Sequence, residues 1–164
     1  MSAVPRVQSR NPPRNPVVAI PARMASTRFP GKPLAELLGE PMIVHVWRRA
    51  CEAGIGPVVV AAAEDAIADV IRAAGGEAVL TPPDLPSGSD RIHAALLSFD
   101  PEGRFDAVVN VQVDLPTLEA AAVRAALEPL AHAGVDIATL VAEITRPEER
   151  TDPNVVKEIG RAHV

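Results

Sequence analysis

Three cations stand within ten residues of an otherwise acidic chain. They are Arg23, Arg28 and Lys32, in the segment Pro21-Ala22-Arg23-Met24-Ala25-Ser26-Thr27-Arg28-Phe29-Pro30-Gly31-Lys32-Pro33-Leu34. Two hydroxyls, Ser26 and Thr27, and one glycine share the segment. The set suits a triphosphate: arginine grips phosphate oxygens as a fork, lysine acts as a point charge, and backbone N–H groups and hydroxyls add donors. The spacing is neither the GxxxxGK[ST] phosphate loop nor GxGxxG. Charge alone fits a solvated surface loop equally well. Its place directly after an apolar strand pattern tilts the reading towards phosphate.

Two further segments carry chemistry. In Thr81-Pro82-Pro83-Asp84-Leu85-Pro86-Ser87-Gly88-Ser89-Asp90-Arg91, the prolines keep the chain extended, and Ser87 or Ser89 can cap a following helix. The same serines and Gly88 also offer donors to a nucleotide. In Asn110-Val111-Gln112-Val113-Asp114-Leu115-Pro116, a carboxylate follows a strand pattern. Asp114 there suits a Mg²⁺ ion shared with substrate phosphates, and it suits equally the cap of a helix after Pro116. No Ser-His-Asp set or Cys/His cluster competes. Cys51 stands alone and reads as a buried structural thiol on a helix, and His45 reads as a helix residue without a catalytic role.

The elements that must position these segments alternate. Strand patterns occur at Val17–Ile20, Val58–Ala62, Ala78–Leu80, Ala107–Val111 and Ile137–Val141. Between them, helical i, i+3, i+4, i+7 spacing joins Ile43, Val46, Trp47 and Ala50; Ile67, Val70, Ile71 and Ala74; Ile92, Ala95, Leu96 and Phe99; and Val123, Ala126, Leu127 and Leu130. Fully apolar strands alternating with helices predict an α/β fold: a Rossmann-like, doubly wound, mostly parallel sheet. Ligands of such sheets bind at the carboxyl ends of the strands. The loops after Ile20, Leu80 and Val111 are therefore the expected site.

Composition narrows the class. The 164 residues are 48% hydrophobic and 23% charged, which fits a folded globular domain rather than a disordered chain. The net charge is −5. Residues 1–16 hold Arg6, Arg10 and Arg14 and no acid, so the rest carries −5 − 3 = −8. An acidic body argues against nucleic-acid binding. No apolar run has membrane-spanning length and no signal-peptide pattern opens the chain, so a cytoplasmic protein with no membrane partner is expected. Met1–Pro16 reads as a disordered basic tail, and residues 17–157 as the nucleotide-binding α/β domain. Residues 158–164 read as a non-native tail, since the pattern is lost there; Ile159–Val164 can be encoded by a nucleotide run found in a common sequencing adapter.

The segments together resemble a known family. Ile20-Pro21-Ala22-Arg23, Ser26-Thr27-Arg28 and Pro30-Gly31-Lys32-Pro33-Leu34 are similar to the signature of 3-deoxy-manno-octulosonate cytidylyltransferases (CMP-KDO synthetases), as are Gly39–Val46, Ser87–Arg91, Asn110–Pro116 and Asp152–Lys157. Val113 stands where that motif has glycine, and Pro86 where it commonly has glutamine. The resemblance covers about residues 17–157. It implies transfer of CMP from CTP to KDO, with release of pyrophosphate, for lipopolysaccharide biosynthesis. Pro21, Ala22, Arg23, Ser26, Arg28 and Lys32 would wrap the CTP phosphates. Ser87, Gly88 and Arg91 would lie beside the cytidine, Gln112 would line the sugar pocket, and Asp114 would hold Mg²⁺. Arg23, Lys32 and Asp114 are the expected catalytic residues. The resemblance also implies a C-terminal truncation, the missing half carrying KDO contacts, a second metal-binding aspartate and the surface of a homodimer. This chain alone is then expected to have little activity. A cytidylyltransferase for a sialic-acid-like sugar and an inactive nucleotide-binding fragment are the alternatives.

Overall fold

The computed structural model describes residues 11–25, 29–153, 155 and 157. The tail residues 1–10 and 158–164 lie outside the described residues. β1 (Pro16–Ala22) is followed by a 3-10 turn, Lys32–Leu34, and a small hairpin of β2 (Glu36–Leu37) and β3 (Glu40–Pro41). Then come α1 (Met42–Glu52), β4 (Val58–Ala62), α2 (Asp65–Ala73), β5 (Glu77–Leu80), α3 (Gly88–Phe99), β6 (Ala107–Asn110) and α4 (Ala120–Ala125).

The main sheet has four strands in the order β5-β4-β1-β6, all parallel. The chain first winds outward from β1 through β4 to β5, then returns to place β6 on the other side of β1. That reversal makes the carboxyl ends of β1 and β6 the switch point, where α/β sheets open a crevice. β1 is central and every residue of it is buried. Its alternate side chains feed two cores. Val18, Ile20 and Ala22 join Ile43, Val46 and Ala50 of α1, Ile67 and Ile71 of α2, and Val123 of α4. Val17 and Ala19 face the opposite way, with Val59 and with Ile92 of α3. Helices on both faces are the doubly wound arrangement that the apolar strands predict.

Four details differ from the sequence expectations. First, β1 runs past Ile20 through Pro21 and Ala22, which pair with Ala61 and Ala62. Val18 N–H points to the β4 side, so by alternation Pro21 presents its missing N–H to the β6 side. The paired residues of β6 end beside Ala19, so no strand bond is lost there. Second, ordered contacts begin before Pro16: the N–H groups of Arg14 and Asn15 donate to the Asp106 carboxylate at 2.7 and 3.0 Å. Third, Cys51 lies on α1 as expected but is exposed, not buried. Partial burial, then the neighbouring Glu52 charge, raises its thiol pKa and so disfavours the thiolate. Fourth, Ile137–Val141 forms no strand. Ile137, Leu140 and Val141 are exposed, and β6 ends the sheet without them. Ile137 and Leu140 line the hollow beside the outer edge of β6 but do not pair with it; apolar composition makes a strand only where the backbone also pairs with a neighbour.

Candidate functional site

A cavity of about 740 Å³ opens at the switch point. Its wall combines the three loops named above: Pro21, Ala22, Arg23 and Lys32 from the first, Ser87, Gly88 and Arg91 from the second, and Gln112, Val113 and Asp114 from the third. Strand register explains the convergence. Ala22, Ala62 and Leu80 end β1, β4 and β5 at one level. β6 stops three residues lower, with Asn110 opposite Ala19. Val111 N–H still donates to Ala19 O at 3.0 Å, and the chain then crosses beside the end of β1. Asp114 thereby comes opposite the first loop.

There it meets Lys32. The ammonium donates to Asp114 Oδ2 at 2.9 Å, joining loops 82 residues apart. The lysine is 28% exposed and the aspartate 50%, so the pair sits at the mouth of the cavity rather than in its floor. Gly31 makes the approach of Lys32 possible. It adopts φ +73°, a conformation that L side chains resist, and its N–H donates to Met24 O at 2.9 Å, closing the loop on itself. Arg23 is exposed on the same wall. Ser26 and Arg28 lie outside the described residues.

The second loop is built more rigidly than its sequence suggests. Ser87 caps α3: its hydroxyl oxygen accepts Asp90 N–H at 3.1 Å, and its O–H donates to Asp90 Oδ2 at 2.5 Å. Gly88 follows, and a Cβ there would lie 3.2 Å from Pro21 Cγ. Glycine therefore lets the start of α3 close on the end of β1. Arg91, expected as a nucleotide contact, is one of the residues lining the cavity. It is 2% exposed, and its guanidinium is engaged by the second loop. One terminal nitrogen donates to Thr81 Oγ1 at 2.5 Å and to Pro82 O at 2.9 Å, the other to Pro83 O at 3.1 Å. Burial, foremost, lowers its pKa, and Arg23 adds to this while Glu64 and Asp84 oppose it. Arg91 is a strut for the 81–86 loop. Thr81, buried and itself donating to Ala62 O at 3.0 Å, completes that strut.

In the third loop, Gln112 is exposed and donates to Asn110 Oδ1 at 2.7 Å, which fixes its amide beside the cavity. Val113, at the glycine position of the motif, packs partly buried against the larger core. Among the described residues, Leu38 alone of the non-glycines has a positive φ, so Val113 fits without that strain. Asp114 does not cap α4, which begins at Ala120. His45 ties α1 to the hairpin through Leu37 O at 2.8 Å and stays outside the cavity.

Two residues escaped the sequence reading: Thr81, and Glu64 at the end of β4, whose Oε2 accepts Met24 N–H at 3.0 Å. An acid directly after an apolar strand was a signal for Glu64, because strand ends of this sheet all point to the site. No group of three or more His, Cys, Asp or Glu able to hold a metal occurs among the described residues. One carboxylate beside a cationic loop still fits Mg²⁺, which keeps several waters and commonly takes much of its coordination from substrate phosphates. A larger hollow of about 890 Å³ runs along the outer edge of β6. It contains Val108, Leu115, Ile137 and Leu140, shares Gln112 with the first cavity, and has neither Lys32 nor Arg23 in its wall.

Comparison with known proteins fits this geometry. The sequence model of a family described as cytidylyltransferase matches residues 17–163. A 3-deoxy-manno-octulosonate cytidylyltransferase of Paramagnetospirillum magneticum is 62% identical over 144 residues, covering 88% of this chain and 58% of its own. The enzyme of the same name from Rhodospirillum rubrum is 66% identical over 145 residues, covering 88% and 58%. A solved structure of CMP:2-keto-3-deoxy-manno-octonic acid synthetase complexed with CTP superposes with a TM-score of 0.63 at 37% identity, over 71% of this chain and 47% of its own. The chain thus spans 58% of the length of the first of these relatives.

Proposed function

The chain belongs to the cytidylyltransferase family, and from that premise we propose that it carries the nucleotide-binding portion of an enzyme transferring CMP from CTP to KDO. In this reaction the anomeric hydroxyl of KDO attacks the α-phosphorus of CTP. The bond from that phosphorus to the bridging oxygen breaks, and pyrophosphate leaves. The product, CMP-KDO, would serve lipopolysaccharide assembly. One observation carries the reading: Lys32 and Asp114 meet at 2.9 Å at the mouth of a cavity on the switch point of the sheet. Naming of the curated relatives as 3-deoxy-manno-octulosonate cytidylyltransferases supports KDO as the acceptor.

The chemistry asks for positioning and charge neutralisation rather than a protein nucleophile. Arg23 and Lys32 hold phosphate oxygens, with Ser26 and Arg28 as further contacts. Ser87 and Gly88 start α3 beside the nucleoside, the partial positive end of a 12-residue helix. Gln112 presents its amide to the acceptor sugar. Asp114 would hold Mg²⁺, which when bound supplies charge neutralisation at the α-phosphate. Among the described residues no helix is long and apolar enough to cross a membrane. A cytoplasmic location and a homodimer of the whole protein complete the proposal.

Calorimetric titration with CTP and ATP, each with Mg²⁺, tests it. CTP is expected to bind more tightly than ATP. Arg23→Ala and Lys32→Ala should each weaken CTP by roughly tenfold, the loss expected for one charge-assisted hydrogen bond. Unchanged CTP affinity in the double variant would overturn the assignment.

A further inference from the structure

Glu64 does not line the cavity, yet its side chain is committed to it. It occupies the N-cap position of α2, with φ −129° and ψ 146°, where a short polar side chain would accept an N–H of its own helix. It makes no such bond. Its carboxylate instead turns to the first loop and accepts Met24 N–H at 3.0 Å in a partly buried setting. Met24 is also held from the other side, because its carbonyl accepts Gly31 N–H at 2.9 Å. One residue therefore anchors both arms of the cationic loop: Arg23 directly precedes it, and Lys32 directly follows Gly31. Ala63 N–H donates to Ala22 O at 2.9 Å, which brings the residue before Glu64 against the base of that loop.

We propose that Glu64 is a positioning residue of the nucleotide site, a tether that fixes the Met24 peptide and so sets the spacing of Arg23 and Lys32 for the triphosphate. The inference rests on the nucleotide reading above, and it makes a claim that reading does not need. A merely structural glutamate would affect every ligand and the whole fold alike. A tether on the phosphate loop affects phosphate-rich ligands selectively, and it is preserved by any side chain that can still accept Met24 N–H.

The test compares the wild-type chain with Glu64→Ala and Glu64→Gln. Affinity for Mg²⁺–CTP and for CMP is read by calorimetry, and exchange of the Met24 amide hydrogen by NMR. Glu64→Ala is expected to weaken CTP by roughly tenfold, the equivalent of one lost hydrogen bond, while CMP changes much less. Met24 exchange should accelerate without a comparable change across the core strands. Glu64→Gln keeps an acceptor and should restore most of both properties. Equal losses for CTP and CMP, an unaltered Met24 exchange rate in Glu64→Ala, or no rescue by glutamine would each overturn the tether. Failure of the wild type to bind CTP while Met24 exchange responds as expected would overturn the nucleotide reading, and with it the assigned role, but not the hydrogen bond. Normal CTP binding by Glu64→Ala would overturn this inference alone.

Discussion

Lys32 and Asp114 neutralise each other across the mouth of the cavity. Either group can engage phosphate or metal only by loosening that contact. Asp114→Asn is therefore expected to free Lys32 and to raise the affinity for metal-free CTP by about two- to fivefold, the range of a solvent-exposed ion pair. Titration in a chelator checks this; unchanged or weaker metal-free binding would count against it. Arg91 lines the same cavity and is in addition built into the frame. Arg91→Ala leaves Thr81 Oγ1 and the carbonyls of Pro82 and Pro83 without their donor. An expected stability loss of about 2–4 kcal/mol follows from unsatisfied groups and a vacated buried volume. Urea unfolding measures it. Lysine at this position should recover only part, because one ammonium cannot reproduce the planar fork.

At the scale of elements, two short connections steady the frame. The β2–β3 hairpin turns through Leu38 (φ +52°) and Gly39 (φ +83°), a two-residue turn that favours asparagine or glycine at its first position. Leu38 is fully exposed and gains nothing from packing. Leu38→Asn is expected to stabilise the protein by ~0.5–1 kcal/mol, read as a rise in melting temperature. At the other end of the sheet, Asp106 ties the start of β1 to β6. The Arg14 N–H, chiefly, holds its carboxyl below the ordinary range, Asn15 N–H assists, and desolvation opposes. A carboxylate with a depressed folded pKa stabilises fully above its unfolded value near ~3.9, and that contribution is lost as pH falls through the lower folded value. Asp106→Asn should flatten the decline in melting temperature below about pH 4, while a slope equal to wild type would show that the tie is not linked to protons.

At the scale of the whole molecule, the β6 side of the sheet borders a broad apolar surface among the described residues. β6 closes the sheet order with no strand beyond it among the described residues, and Val108, Leu115, Ile137 and Leu140 are exposed around the hollow alongside. An unpaired edge next to apolar surface invites strand pairing between molecules. The chain is expected to associate in a concentration-dependent way, and Val108→Lys to reduce that association, as sedimentation velocity would register. Association unchanged by the added charge would point to a surface other than this edge.

Local pattern was enough for most of the frame. The apolar run Val58–Ala62 coincides with β4, and the spacing of Ile43, Val46 and Ala50 marks the buried face of α1, because alternation and helical period are written within a few consecutive residues. Position after a strand likewise nominated the loops of Arg23, Ser87 and Asp114, since strand ends of a doubly wound sheet face one crevice. Partnership was not legible in the same way. Ile137–Val141 has the composition of a strand yet does not pair with the free edge of β6. Arg91 lines the cavity while bracing the carbonyls of Pro82 and Pro83, and Glu64 holds a loop 40 residues away. A hydrogen bond depends on which acceptor lies within about 3 Å of a donor, and that distance is set only when the strands have taken their order and register.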